Sequence, residues 1–412
     1  MGRTIMLLMV TASLVLGAQA DLYQQARARF LKAVSTGDGD EILAHLKTLR
    51  RYDHPQTARL VIIHCLLHKD ILVHREGMDI LSRLKDDAAR KLVIDAAVSA
   101  KVWELRATCI RVIAFYHGEY VYSKVKEALG DRKWQVRASA IRALAYQRRK
   151  ESIPLLIGKL NHEVGRLRSD LLWALEQLTG EKYEAEYNEW NFWWQVHGED
   201  FEVPPLTEVR KKLGEGKEEL DLHTAVREGL YGPIYSEKVA FLLDISGSMS
   251  VGTGGDGVRT RIAIAQHELS RVLENQLTPS SYFNIIVFHE EVAAFSSRLR
   301  KAKPSHIRKA LTFIGELGAS GETNAYEALR VAFADQNVDT IYFLSDGSPT
   351  VGEESIPDLI RIRVSEWNRT RRIIINCIGF FPGEARGEEK AEAREFLRGL
   401  AHDNEGFYKE IY

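Results

Sequence analysis

The spacing of apolar residues changes character once along this chain. From Asp21 to about Gly180 they recur three and four residues apart, with Pro and Gly sparse, which lays an apolar stripe along each of a series of helices. From Lys238 onward, short runs that are apolar throughout alternate with amphipathic stretches. The runs at 239–244, 282–288, 340–345, 373–380 and 406–411 predict strands, and 261–275, 305–317, 325–334, 356–369 and 388–401 predict helices between them. Strands without a polar face need cover on both sides. The predicted fold class is therefore multidomain: an all-α part, then an α/β doubly wound, mainly parallel sheet. In such sheets ligands bind beyond the C-terminal strand ends.

The helical part repeats. Arg75, Arg106, Arg137 and Arg168 lie 31 residues apart, each beginning or entering an amphipathic segment, and further apolar helices are predicted at 91–98, 121–129 and 153–160. Two helices per period make a stacked solenoid in which no unit buries its faces alone. The run Asp131-Arg-Lys-Trp-Gln-Val-Arg137-Ala-Ser-Ala-Ile-Arg-Ala-Leu144 resembles the HEAT-type repeat, over about residues 58–180. That resemblance implies a protein-binding scaffold, with Val136 in the core and Asp131 and Arg137 bridging neighbouring turns. The Arg75 unit departs from the pattern, since Met78 stands where Ala140 does and Asp79 where Ile141 does, which suits a degenerate cap. His64 and His68 predict two imidazoles on one helix face. Cys65 stands where a zinc protease carries its Glu and no further ligand follows, so they read as partly exposed histidines. Trp190, Trp193 and Trp194 share a helix face and read as a seal on the solenoid's open end.

Composition adds limits. A chain of 412 residues exceeds one domain, and 45% hydrophobic with 27% charged residues fits a globular protein. The net charge of -1 conceals an imbalance: residues 21–180 carry 28 Lys/Arg against 19 Asp/Glu, and residues 181–412 carry 27 against 38. The basic residues are interspersed, so they read as solvated helix faces, and no nucleic-acid partner is expected. Arg3, the apolar stretch 5–16 and Ala18-Gln-Ala20 form the pattern of a secretory signal peptide over residues 1–20, too short for a membrane span. Its cleavage implies a secreted or periplasmic protein with no stable membrane span. Cys65, Cys109 and Cys377 make an odd count without zinc spacing and read as buried thiols. The expected order is signal peptide 1–20, helical repeats 21–180, a Trp-rich cap and linker 181–236, and the α/β domain 237–412. Within the linker a helix is predicted near 206–213, and Tyr231-Gly-Pro-Ile-Tyr235 is expected to pack on the sheet.

Candidate chemistry gathers at the strand ends. Asp244-Ile-Ser246-Gly-Ser248 follows the first strand, Thr323 lies in the loop 318–324 that opens a helix, and Asp346-Gly347 follows the third strand. Two carboxylates and three hydroxyls are hard oxygen donors that suit Mg²⁺, Mn²⁺ or Ca²⁺. D-x-S-x-S, then Thr, then Asp-Gly, each at an element boundary, resembles the metal-ion-dependent adhesion site (MIDAS) of the von Willebrand factor type A family, over about residues 237–412. The resemblance implies a Rossmann-like type A domain and a divalent cation, Mg²⁺ first. It makes Ser246 and Ser248 direct ligands and Thr323 direct or water-mediated. Asp244 and Asp346 would act largely through bound waters and hydroxyl hydrogen bonds. An under-neutralised ion of this kind accepts an Asp or Glu carboxylate from a protein partner. Glu322 stands where the family often has Gly, and the insert 252–259, with Asp256, adjoins the site.

The expected function is thus exported, non-enzymatic, adhesion-type binding of a protein partner. The alternative is a metal-assisted hydrolase using the same ion, which lacks an evident nucleophile–base pair because His289-Glu-Glu291 is expected some distance away. A third arrangement has Glu215, Glu218 or Glu219 of the linker occupying the metal.

Overall fold

The 31-residue spacing becomes a ladder of helices. The computed structural model describes residues 20–183, 187–213, 219–220, 222–253, 259–381 and 390–412. The signal-peptide stretch through residue 19, Glu215, Glu218 and Asp256 lie outside the described residues. The chain divides into two compact units, Met1–Gln147 and Arg148–Tyr412.

In the first unit a helix through residues 20–36 is followed by Gly39–Leu49, Pro55–His64, Ile71–Ser82, Asp87–Ser99, Trp103–Ile113, Glu119–Ala128 and Trp134–Gln147. From Gly39–Leu49 onward, helices pack chiefly against those one and two places along the chain, as a solenoid requires. Aspartates start three of them: Asp38, Asp70 and Asp86 accept backbone N–H groups of their own first turns. The repeat residues behave as the HEAT resemblance implies. Val136 is fully buried. Asp131 takes Arg106 of the preceding period in a two-pronged pair at 2.7 and 3.0 Å, while Arg137 Nη1 donates to the Asp131 carbonyl at 3.0 Å.

One expectation fails in this unit. The helix Pro55–His64 ends at its histidine, with Cys65 as its C-cap, so His64 and His68 do not share a helix face. Cys65 and Leu66 are both fully buried, and the chain turns inward to bury them. His64 lies edge-on to Phe30 at 6.1 Å, and His68 Nδ1 accepts the Asp70 N–H at 3.2 Å. Both histidines are half-buried, as expected. All three cysteines are free and buried, and burial pushes the Cys65 and Cys109 thiols up to about 12.

The second unit opens with the helices Ser152–Leu160, Arg166–Thr179, Tyr187–His197 and Leu206–Leu213. Trp190 and Trp193 are buried and Trp194 half-buried, with Tyr183 and Phe201 each 5.1 Å from one of the buried indoles, so these rings pack a core. The strands are β1 (Glu219–Leu220), β2 (Lys238–Asp244), β3 (Tyr282–Phe288), β4 (Val292–Ala294), β5 (Arg300–Lys301), β6 (Thr340–Ser345), β7 (Ile374–Phe380) and β8 (Tyr408–Ile411). Their order is β1-β8-β7-β6-β2-β3-β4, with β5 also on β3. β4 and β5 run antiparallel to β3, and the other pairs are parallel. Residues of β2 alternate between two cores. Ala240 and Leu242 face helices Ala325–Ala334, Pro357–Arg371 and Ala391–Asp403, whereas Val239, Phe241 and Leu243 face Arg261–Asn275 and Pro304–Gly315. Sequence reading missed β1, β4 and β5, which are only two or three residues long. Tyr231 is buried between Phe241 and Tyr342, at 5.5 and 5.8 Å, so the segment before the sheet packs on it as expected.

A buried arginine joins the helices of this unit to the sheet. Arg166 Nε lies 3.0 Å from Asp170 Oδ2, and its Nη1 donates to the carbonyls of Arg372 and, at 3.5 Å, Asp339. Arg166→Met should cost about 3 kcal/mol, because a buried charged contact of Asp170 is lost and the Arg372 and Asp339 carbonyls lose a donor. Adding Asp170→Leu should return much of that loss. Urea unfolding of the two variants measures this, and a loss below about 1 kcal/mol for Arg166→Met counts against the clasp.

Candidate functional site

β2 delivers Asp244 and β6 delivers Ser345 and Asp346 to the same edge, because Leu243 pairs with Leu344 in register. Beyond Asp244, Ile245 N donates to Phe288 O at 2.8 Å, which keeps the chain extended until the turn Gly247–Ser250. The loop carrying Thr323 is fastened to this turn by two backbone hydrogen bonds, Gly247 N to Gly321 O and Ser320 N to Ile245 O, both 2.9 Å. Thr323 N donates to Thr350 Oγ1 at 2.9 Å, and Thr350 N returns a bond to Thr323 O at the same distance. Three separate loops are thus locked together.

The five residues singled out in the sequence converge. Asp244 and Asp346 are fully buried, Ser246 and Thr323 nearly so, and Ser248 half-buried. Asp244 Oδ1 accepts the Ser246 N–H at 2.8 Å. The Ser246 and Ser248 hydroxyls lie 3.1 Å apart, and Ser248 donates to Asp346 Oδ1 at 2.7 Å. Thr323 Oγ1 faces Gly347, 3.7 Å from where a β-carbon would stand. Burial first, and the neighbouring Asp346 charge second, push the Asp244 carboxyl up to about 7, against hydrogen bonds from Ser345 and Ser246. Adjacent buried carboxylates of this kind call for positive charge.

Sequence reading missed three groups that answer this need, one by hydrogen bonding and two by charge. Ser345 donates to Asp244 Oδ2 at 2.5 Å, Arg261 Nη1 to Asp346 Oδ2 at 2.6 Å, and Lys390 Nζ to the Asp346 carbonyl at 2.7 Å. Ser345 was signalled by standing beside Asp346; Arg261 and Lys390 carry no spacing signal, because each comes from a different helix start. The structure also corrects the placement of His289 and Glu290. Asn324 N donates to His289 O at 2.9 Å and Glu322 N to Glu290 Oε2 at 3.2 Å, so they adjoin the Thr323 loop. Glu322 itself is exposed. Backbone pairing puts Glu219 on β1, four strands from β2.

Residues 239–348, which include all five, match the family model described as von Willebrand factor type A domain, and residues 122–185 match that of HEAT repeats. The strand-end site therefore sits in a von Willebrand factor type A domain. Inter-alpha-trypsin inhibitor heavy chain H4 of Homo sapiens is 31% identical over 206 residues, covering 46% of this chain and 20% of that protein. Human von Willebrand factor A domain-containing protein 3B is 25% identical over 134 residues, covering 32% of this chain and 10% of that protein. The similarity thus spans a tenth to a fifth of these relatives' length. A solved von Willebrand factor type A structure from Catenulispora acidiphila is 22% identical, with a TM-score of 0.35, covering 43% of this chain and 39% of that one. Type A domains mediate protein–protein interaction and commonly hold a divalent cation at their strand-end site. Among the described residues no helix is long and apolar enough to cross a membrane, and no group of three or more His, Cys, Asp or Glu has metal-binding placement. The strand-end site instead offers two carboxylates and three hydroxyls.

In the type A domain, Gly321 is called for by its backbone, since its φ is +72°. A β-carbon there would also displace the exposed Glu290 carboxylate from its bond to Glu322 N. Gly321→Ala should cost about 2 kcal/mol in urea unfolding, and Glu290→Ala in the same chain should recover the steric part but not the roughly 1 kcal/mol of backbone strain. Additive single effects would show that Glu290 does not press on this loop.

Proposed function

We propose that this chain is an exported, non-enzymatic binding protein. Its type A domain docks an acidic side chain of a protein partner through a divalent cation, and its helical repeats offer a protein-binding scaffold. The observation that carries the reading is the donor set. Two buried carboxylates and three hydroxyls from three interlocked loops are hard oxygens in the number and type that suit Mg²⁺, with Mn²⁺ and Ca²⁺ as alternatives. Asp244 and Asp346 both already accept hydrogen bonds on each carboxylate oxygen, which favours Ser246 and Ser248 as direct ligands and the carboxylates as partners of bound water. Thr323 completes the set. When bound, the ion supplies residual positive charge that attracts an Asp or Glu carboxylate.

Export rests on the signal-peptide pattern of residues 1–20. The absence of enzymatic activity in this reading agrees with relatives named as inter-alpha-trypsin inhibitor heavy chains and as type A domain proteins.

Mg²⁺ should raise the melting temperature over that in EDTA, and Asp244→Ala or Ser246→Ala should abolish the rise. In a pull-down from an extracytoplasmic fraction, the same substitutions should abolish partner capture. Capture that persists in EDTA at full strength would sink the proposal.

A further inference from the structure

Arg261 is the first residue of the helix Arg261–Asn275, yet it is fully buried, with its guanidinium 2.6 Å from Asp346 Oδ2. A cation at a helix N-terminus opposes the macrodipole, so what it faces must explain its place. The local chain is built to deliver it. Arg261 N donates to Val251 O at 3.0 Å, Thr253 N to Arg259 O at 3.0 Å, Gly252 and Thr260 pair as an antiparallel bridge, and Thr260 caps the helix through Ala263 N at 3.3 Å. Having left the Ser246–Ser248 turn, the chain doubles back and places Arg261 against a carboxylate carried on another loop.

We infer that Arg261 is a built-in monovalent counterion of the strand-end site: it pairs with Asp346 and holds it oriented without a divalent cation, and its fixed charge weakens the site's hold on one. The inference rests on the cation reading of the same five residues. Two adjacent buried carboxyl groups concentrate negative charge, and the Arg261 guanidinium in contact with Asp346 offsets part of it. An incoming dication then meets like charge held close by in a buried, weakly screened place, Arg261 on the Asp346 carboxylate and Lys390 on its carbonyl. Asp346 is ready for that ion in advance, since Ser248 holds its Oδ1 and Arg261 its Oδ2. Arg261 is thus a positioning residue that sets how readily the site loads and unloads.

Arg261→Gln keeps a donor for Asp346 Oδ2 and removes the charge, whereas Arg261→Lys keeps the charge. Calorimetric titration with Mg²⁺ and melting in Mg²⁺ or EDTA are measured on the full chain. Arg261→Gln should bind Mg²⁺ about tenfold or more tightly, melt lower in EDTA and recover most of that loss in Mg²⁺. Arg261→Lys should stay within about threefold of the unaltered affinity, since the charge remains. A merely structural arginine would lower melting equally in both conditions and leave the Mg²⁺ affinity unchanged, and that result overturns the inference. Arg261→Gln that folds in neither condition overturns it too, because the dication then fails to replace the lost charge. If the unaltered chain takes up no Mg²⁺ but Arg261→Gln does, the inference stands and the cation-docking function falls. If neither takes it up, both fall.

Discussion

Two carboxylates buried side by side constrain everything around them. Asp244 closes β2 and Asp346 lies just past β6, its neighbour in the sheet, and neither side chain reaches solvent. An ionised carboxylate in such a place costs several kcal/mol unless hydrogen bonds and opposite charge offset it. The surrounding chain supplies both, since Ser345 and the Ser246 amide serve Asp244, while Ser248 and Arg261 serve Asp346. Because these helpers come from β6, the turn after β2 and the next helix, the charge requirement also fixes how the loops lie against each other.

The loops gain their order from backbone pairing more than from side chains. Gly247 and Ser320 exchange bonds with Gly321 and Ile245, and Thr323 with Thr350, so the hydroxyls are held by a framework of main-chain contacts. Apolar layers on both faces of the sheet hold the strand ends that carry this framework. A site so fixed can wait for a ligand without first being ordered, which lowers the entropic cost of binding.

Polar residues of the helical part have a different purpose. Asp131 ties to Arg106 of the preceding period, while Arg166 pairs with Asp170 within one helix and ties that helix to the Arg372 and Asp339 carbonyls. The 31-residue spacing of Arg106 and Arg137 reflects the repeat's own packing, and His64 and His68 show how a tempting ligand spacing dissolves once a helix ends between the two.

Periodicity alone determined most of this protein. Continuous apolar runs placed β2, β3 and β6 within one residue of their observed ends, and the five site residues were legible because each sits at an element boundary. The HEAT-type motif likewise foretold the burial of Val136. Short β1, β4 and β5 left no trace, since two or three residues are too few to show a period. Tertiary structure decided which charges meet. It brought Arg261 to Asp346, across 85 positions, and set Glu290 against Gly321. Local spacing records which face of an element is buried. It does not record which loop another loop will touch, because that depends on strand order and on the lengths of connections that only the folded sheet brings together.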